Sequence, residues 1–213
     1  NCGQVLRYAV QTSRCERDVT QDLRGALKSY RGTNFAAVTE PEPLGELLRT
    51  MHGYKGGVIV RAALQLAPLV FVRPNELRTA KWADIDLDGA QWRYLVTKTK
   101  TPHIVPLSTQ AIAILRELQQ FTGNGMYAFP SARARKGERP MSDNAVLVAM
   151  RAMGISKDTM TGHGFRATAR TLLDEVLKVR PDYIEHQLAH AVKDPNGRAY
   201  NRTAHLDERT NMM

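Results

Sequence analysis

The chain has 213 residues, 43% of them hydrophobic, with 30 Lys and Arg against 21 Asp and Glu, a formal net charge of +9 and a pI near 9.8. That apolar content supports a real core and excludes disorder as the default, while the longest apolar stretch, Val58 to Val72, is broken by Arg61 and Gln65 and argues against a membrane span. Two cysteines, Cys2 and Cys15, make neither a disulfide framework nor a metal cluster, so a reducing cytoplasm is expected, with a polyanion as the natural partner for the positive charge.

In chain order, residues 4–12 and 19–28 read as short helices. Because an amphipathic segment (Val5, Leu6, Tyr8, Ala9, Val10) begins almost at Asn1, the chain is expected to be a piece of a longer protein. Arg31 to Pro43, with Gly32, Asn34 and Pro41, reads as a linker, which places a boundary near residues 30–42. Helical periodicity follows from Pro43 and again from Val58, and Arg73-Pro-Asn-Glu starts another helix with proline in its first turn, where Arg73 would sit at an anion-favouring N-terminus.

From Ala83 to Pro106 the pattern changes to short runs of strand formers, Asp84-Ile-Asp-Leu, Trp92-Arg-Tyr-Leu-Val and His103-Ile-Val, separated by Asp-Gly and by Lys-Thr-Lys-Thr-Pro. These predict a small antiparallel sheet whose second turn carries Lys98 and Lys100. Helices resume over Ser108–Phe121, with Ile112, Ile114, Leu115 and Leu118 as the apolar stripe, and over Ser142–Met153. Between them lies a basic loop with Arg133, Arg135, Lys136 and Arg139, suited to backbone phosphates or simply to solvent. Further helices are expected over Gly164–Leu177, over Pro181–Ala189, and in a short segment Asn196–Thr203 that carries Tyr200. The fold class is thus α+β, mainly helical with a small three-stranded antiparallel sheet.

Arg73, Lys98, His163, Arg166 and His190 describe a cation cluster suited to a phosphate, with Tyr200 beside it as a nucleophile. No member is decisive alone. His163 and Arg166 are i and i+3, on one face of a helix near its start. Arg73 ends an apolar run and needs a partner, which Glu76 supplies in either a structural or a catalytic setting. Lys98 competes with Lys100, two residues on. His186-Gln-Leu-Ala-His190 has the spacing of a helical zinc site, but Gln187 stands where a zinc hydrolase needs glutamate, and no third ligand is evident, so no metal site is expected.

Taken together, these residues resemble the catalytic domain of the tyrosine recombinase, or phage integrase, family, especially prophage integrases. The boxes are Phe71-Val-Arg73-Pro-Asn-Glu76-Leu-Arg followed by Lys81-Trp-Ala-Asp, Lys98 eight residues before Pro106, His163-Gly-Phe-Arg166-Ala-Thr-Ala-Arg, Gln187-Leu-Ala-His190, and Asn196-Gly-Arg-Ala-Tyr200-Asn-Arg. Family members more often have Gly where this chain has Ala189. The resemblance covers about residues 45–213 and implies a tyrosine-recombinase catalytic domain at 43–213 with a shortened C-terminal tail, preceded by a remnant of the core-binding domain and linker at 1–42.

The same resemblance implies a site-specific recombinase that integrates and excises a prophage. Tyr200 attacks a scissile phosphate to give a 3′-phosphotyrosyl bond and a free 5′-hydroxyl. Arg73 and Arg166 grip the non-bridging oxygens, Lys98 protonates the leaving oxygen, His163 acts as base or charge stabiliser and His190 as a second donor, while Glu76 fixes Arg73. No cofactor, metal or ATP is implied. The implied partners are double-stranded attachment sites, further copies making a homotetramer on that DNA in the longer protein, and accessory DNA-bending proteins, in a cytoplasmic, nucleoid-associated setting. A catalytically silent DNA-binding prophage remnant and a type IB topoisomerase-like enzyme are the alternatives.

Overall fold

The computed structural model describes residues 2–23, 25–26, 35–134, 138–190 and 205–213. It divides into two compact units, Asn1–Asn34 and Phe35–Met213. In the first, helix α1 (Cys2–Gln11) is followed by a 3-10 turn, Val19–Leu23, that is shorter than the helix expected over 19–28. Arg7 reaches Asp18 at 3.6 Å, and the hydroxyl and amide of Thr20 donate to the same carboxylate.

The second unit is built around α3 (Val58–Val70), whose hydrophobic surface runs most of the way round it, as a central helix requires. One face, Ala62, Ala63, Leu66 and Val70, packs with the sheet and with Ala111, Leu115 and Leu118 of α5 (Thr109–Thr122). Another presents Leu64 to Leu47 and Met51 of α2 (Pro41–His52), to Met150 of α6 (Ala145–Ala152) and to Phe165 of α7 (Gly164–Thr171). Pro41 and Pro43, expected in the linker, instead lie in the first turn of α2, where a missing N–H costs nothing.

Helix α3 carries Pro68 in its last turn, where the ring leaves the Leu64 carbonyl without its i+4 donor, and it ends two residues later with Phe71 in a left-handed conformation (φ 56°). That reversal leads directly into α4 (Pro74–Arg78) and sets Arg73 just outside its first turn. Strands β1 (Ile85–Asp86), β2 (Gln91–Leu95) and β3 (Pro102–Pro106) form an antiparallel sheet in that order, with Trp92 opposite Val105 and Tyr94 opposite His103. Trp92 and Tyr94 share a face by the two-residue period of a strand, and this face is the buried one.

Beyond α7 the helix widens into a π-helical turn, Leu172–Val176, and α8 (Pro181–Gln187) packs back on it through Ile184 and Leu188 against Ala169 and Leu173. The last element, α9 (Leu206–Met212), lies against α8 and β3. Its Arg209 is 2% exposed and donates to Gln187 Oε1 and to the Ile104 carbonyl. Burial holds the Arg209 guanidinium down to about 10. The helix expected around Asn196–Thr203 lies outside the described residues.

Candidate active site

The site is assembled where the turn after α3, the start of α7 and the end of α8 meet. Arg166 stands one turn into α7 and is 8% exposed, an unusual burial for a guanidinium. Its NH1 donates to the Phe71 carbonyl (2.6 Å), and its NH2 donates to the Leu188 carbonyl (2.7 Å) and to His190 Nε2 (2.9 Å). The left-handed Phe71 therefore does two things: it ends α3 and turns a carbonyl onto Arg166. Burial, then the nearby Arg73 charge, lowers the Arg166 pKa from its ordinary value.

Arg73 is held by Glu76, whose side chain is 1% exposed. Glu76 Oε2 accepts the Arg73 backbone N–H (3.0 Å) and the Tyr94 hydroxyl (3.1 Å), while Oε1 accepts Arg73 NH1 (3.2 Å) and the Thr97 backbone N–H (3.4 Å). The start of α4 was expected to favour an external anion; the structure places the Glu76 carboxylate there instead, so Arg73 contributes through its guanidinium. Tyr94, pressed by burial and by the Glu76 charge, has its pKa raised and stays a hydroxyl donor.

Thr97 begins the turn between β2 and β3, so Glu76 joins Arg73 to the hairpin that carries Lys98. Lys98 and Lys100 are both exposed there, Lys100 with φ 57°. His163 caps α7, and its ring stacks on Phe35 at 4.6 Å between centroids, 15° from parallel. Desolvation, then the charges of Arg166 and Arg73, holds its pKa below the ordinary value, so the ring is neutral at neutral pH. Gly164 beside it has no room for a side chain: a Cβ there would lie 2.2 Å from the Ala36 carbonyl oxygen.

His190 closes the site through a Schellman turn at the end of α8. The Ala189 N–H donates to the His186 carbonyl (3.0 Å), and the His190 N–H donates to the Glu185 carbonyl (3.0 Å). This turn needs a left-handed residue, and Ala189 has φ 50°. A Cβ is disfavoured in that conformation, so glycine would fit this position with less strain than Ala189. Ala189→Gly is expected to raise stability by roughly 0.5–1 kcal/mol, read as a higher midpoint in thermal or denaturant unfolding.

The turn also separates the two histidines that suggested zinc spacing: His190 faces Glu185 and Arg166, whereas the His186 ring lies 5.4 Å from that of His205. No group of three or more metal-ligating side chains occurs among the described residues. Tyr200, Arg135 and Lys136 lie outside the described residues. Arg133 and Arg139 are exposed on a loop closed at its base by pairing of Pro130 with Pro140. Sequence reasoning assigned no role to Arg170, Glu185, Tyr94 or Arg209: Arg170 stood unremarked in the His163–Arg166 box, and the pairing of Glu185 with His190 depends on the left-handed turn at Ala189.

The three-stranded sheet set among helices, with two arginines and two histidines at the junction of α3, α7 and α8, defines a class that structural comparison makes concrete. A lambda integrase dimer bound to a COC′ core site superposes with a TM-score of 0.65 at 19% identity, covering 92% of this chain and 58% of that one. The lambda integrase catalytic core superposes with a TM-score of 0.56 at 22% identity, covering 78% of this chain and 96% of that one. The phage integrase family model matches residues 38–205, and the chain belongs to that family. It is 37% identical to the integrase of Enterobacteria phage P4 over 98% of its own length and 51% of the relative's. It is 36% identical to prophage integrase IntZ of Escherichia coli K12, over 99% of this chain and 51% of that one. The chain thus spans about half the length of these relatives.

Proposed function

We propose that this chain is the catalytic part of a site-specific DNA recombinase, which cuts and rejoins duplex DNA through a 3′-phosphotyrosyl bond to Tyr200. The observation that carries the reading is the convergence of Arg73, Arg166, His163 and His190 in a member of the phage integrase family. Catalysis of phosphoryl transfer is largely positioning and charge stabilisation, and two rigidly held guanidiniums supply both.

In this reading Tyr200 attacks phosphorus, its proton passes to a base, and the scissile 5′-oxygen leaves as a hydroxyl protonated by Lys98. His163, neutral at working pH, has a lone pair for that base role. Arg73 and Arg166 bind the non-bridging oxygens. Both NH2 hydrogens of Arg166 are engaged by Leu188 and His190, so a two-pronged grip takes over the hydrogen now given to His190. His190 Nε2, released by Arg166, then takes a proton from solvent water and turns from acceptor to donor. The reverse reaction, with a partner strand's 5′-hydroxyl, reseals the backbone without ATP.

The partner in this reading is an attachment-site duplex, contacted also by Lys100, Arg133, Arg135, Lys136 and Arg139. Lambda integrase has been seen as a dimer on a core site and as a tetramer on a Holliday junction. By analogy the longer protein acts as a homotetramer, with accessory DNA-bending proteins, on the nucleoid. Among the described residues no helix is long and apolar enough to cross a membrane.

The test is a nicked duplex carrying the direct repeats that flank the gene, incubated with the protein in EDTA. A protein–DNA adduct resistant to denaturant is expected at the rate seen with magnesium present. A strict magnesium requirement, or relaxation of supercoils with no sequence preference, would contradict the reading.

A further inference from the structure

The contacts around His190 extend outward to residues that the proposed chemistry gives no role. His190 Nδ1 lies 2.5 Å from Glu185 Oε2. The other oxygen of that carboxylate, Oε1, accepts Arg170 Nε–H at 2.6 Å, and Arg170 NH1 donates to Asp174 Oδ2 at 2.6 Å. Helices α7 and α8 and the π-helical turn thus each contribute one charged group to a chain that ends on His190.

The local cause is the Schellman turn. It brings the second residue past the helix cap back over the residue three positions before the cap, a pairing usually sealed by an apolar contact. Here those two positions are His190 and Glu185, so backbone and side chain make parallel links between the same two residues. The imidazole has little freedom left: one nitrogen is on Glu185 and the other is on Arg166.

Hydrogen-bond inventory then fixes the proton. A guanidinium only donates, so His190 Nε2 must accept from Arg166 NH2, and the ring proton must sit on Nδ1, where an ionised carboxylate accepts it. Burial alone would raise the Glu185 pKa, but the hydrogen bonds from His190 and Arg170 outweigh it and hold the carboxyl below its ordinary value.

We infer that Glu185, oriented by Arg170, is the positioning residue of His190, holding it as the Nδ1–H tautomer with Nε2 directed at the phosphate-binding edge of Arg166. The inference rests on the proposed strand-transfer reading for its purpose, though not for its geometry. Glu185 exchanges no proton with DNA; its charge compensates the one His190 gains when Nε2 is protonated and becomes a donor. The parallel is the carboxylate behind a metal-bound histidine, where loss of the outer partner typically costs about tenfold to a hundredfold in affinity or activity.

An isosteric substitution makes the sharpest test. In Glu185→Gln the fixed Arg170 Nε–H still demands an oxygen, so the new amide turns its oxygen to Arg170 and its NH2 to His190 Nδ1. Nδ1 must then accept, the ring proton moves to Nε2, and Nε2–H confronts the Arg166 NH2 donor.

Long-range proton–nitrogen spectra of the 213-residue chain, labelled with 15N-histidine at pH 8, read this directly, His190 being identified by the signals missing from His190→Asn. The expected wild-type pattern is a protonated Nδ1 and an unprotonated Nε2, inverted or averaged in Glu185→Gln while circular dichroism is unchanged. A wild-type Nε2–H pattern, or an unaltered pattern in Glu185→Gln, would overturn the inference whatever the protein does to DNA.

On nicked duplex, single-turnover cleavage at saturating DNA is expected to fall about tenfold to a hundredfold in Glu185→Gln, with DNA affinity unchanged. The double variant with His190→Asn is expected to be no slower than His190→Asn alone. Additive losses would show that Glu185 acts other than through His190. Should the wild-type protein form no adduct at all, the strand-transfer reading fails, and the nitrogen spectra still decide the positioning role.

Discussion

Arg166→Ala is expected to lower single-turnover strand cleavage by on the order of a thousandfold or more, the range found when an arginine that stabilises phosphoryl-transfer charge is removed. Arg166 combines three duties: it binds the Phe71 carbonyl, it binds the Leu188 carbonyl, and it presents hydrogens to the His190 edge. Arg166→Lys keeps a charge but cannot bridge two fixed carbonyls and a phosphate from one plane, so it is expected to restore little of the activity. Either variant leaves a buried carbonyl without its donor and is expected to cost about 1–3 kcal/mol in unfolding free energy. Parallel measurement of adduct formation, DNA affinity and thermal midpoint separates the effects. Cleavage by Arg166→Lys within tenfold of wild type would contradict the assigned role.

The second large effect is expected at Glu76. Glu76→Ala removes one carboxylate and strands the Arg73 amide, the Tyr94 hydroxyl and the Thr97 amide together. It also removes the carboxylate that most offsets the charge of Arg73 on Arg166, leaving only the more weakly acting Glu185. Breaking a buried ion pair from one side typically costs about 3–5 kcal/mol, which in a unit of this size corresponds to a fall of roughly 10 °C in the thermal midpoint. Cleavage is expected to suffer beyond the loss of folded protein, because Arg73 and the hairpin bearing Lys98 lose their common anchor. A melt within about 2 °C of wild type would show that water replaces the carboxylate, and the account of Glu76 would fail.

How much of this was legible beforehand depends on the range of the contact. The sheet could be read from Trp92–Val96 and His103–Val105 because strand formers bounded by turn residues act locally. The pairing of Arg73 with Glu76 was legible for the same reason, since three residues on a helical turn bring them together. The join of Glu76 to Tyr94 and Thr97 was not legible, for it depends on how the sheet docks on α4.

Arg209 shows the same limit more severely. No element is expected from the sequence over Leu206–Met212, yet a helix forms there and its Arg209 is the buried latch between α9, Gln187 and β3. It sits near His103, whose pKa is driven down to about 3 chiefly by burial and secondarily by Arg209, and which therefore stays neutral beside that cation. Composition carries no information about such a long-range pairing.

His190 lies between these cases. Its place in the ordered set was readable, and His-x-x-x-His spacing even suggested a competing zinc site. What separated the histidines was a left-handed Ala189, which periodicity does not reveal because it assumes that the helix continues. The same turn set Glu185 behind His190 and gave the site its outer carboxylate. Prolines misled in the opposite direction: Pro41 and Pro43 read as linker punctuation but open α2.

The central claim is that Tyr200 becomes covalently joined to DNA in a pocket whose cations make a metal unnecessary. It is tested most directly by trapping the protein on nicked attachment-site duplex in EDTA, digesting the adduct and locating the nucleotide by mass spectrometry. The account predicts a 3′-phosphate ester on the peptide containing Tyr200, and no adduct from Tyr200→Phe. An ester on another residue, an undiminished adduct from Tyr200→Phe, or cleavage that leaves free ends and appears only with a divalent ion would contradict it.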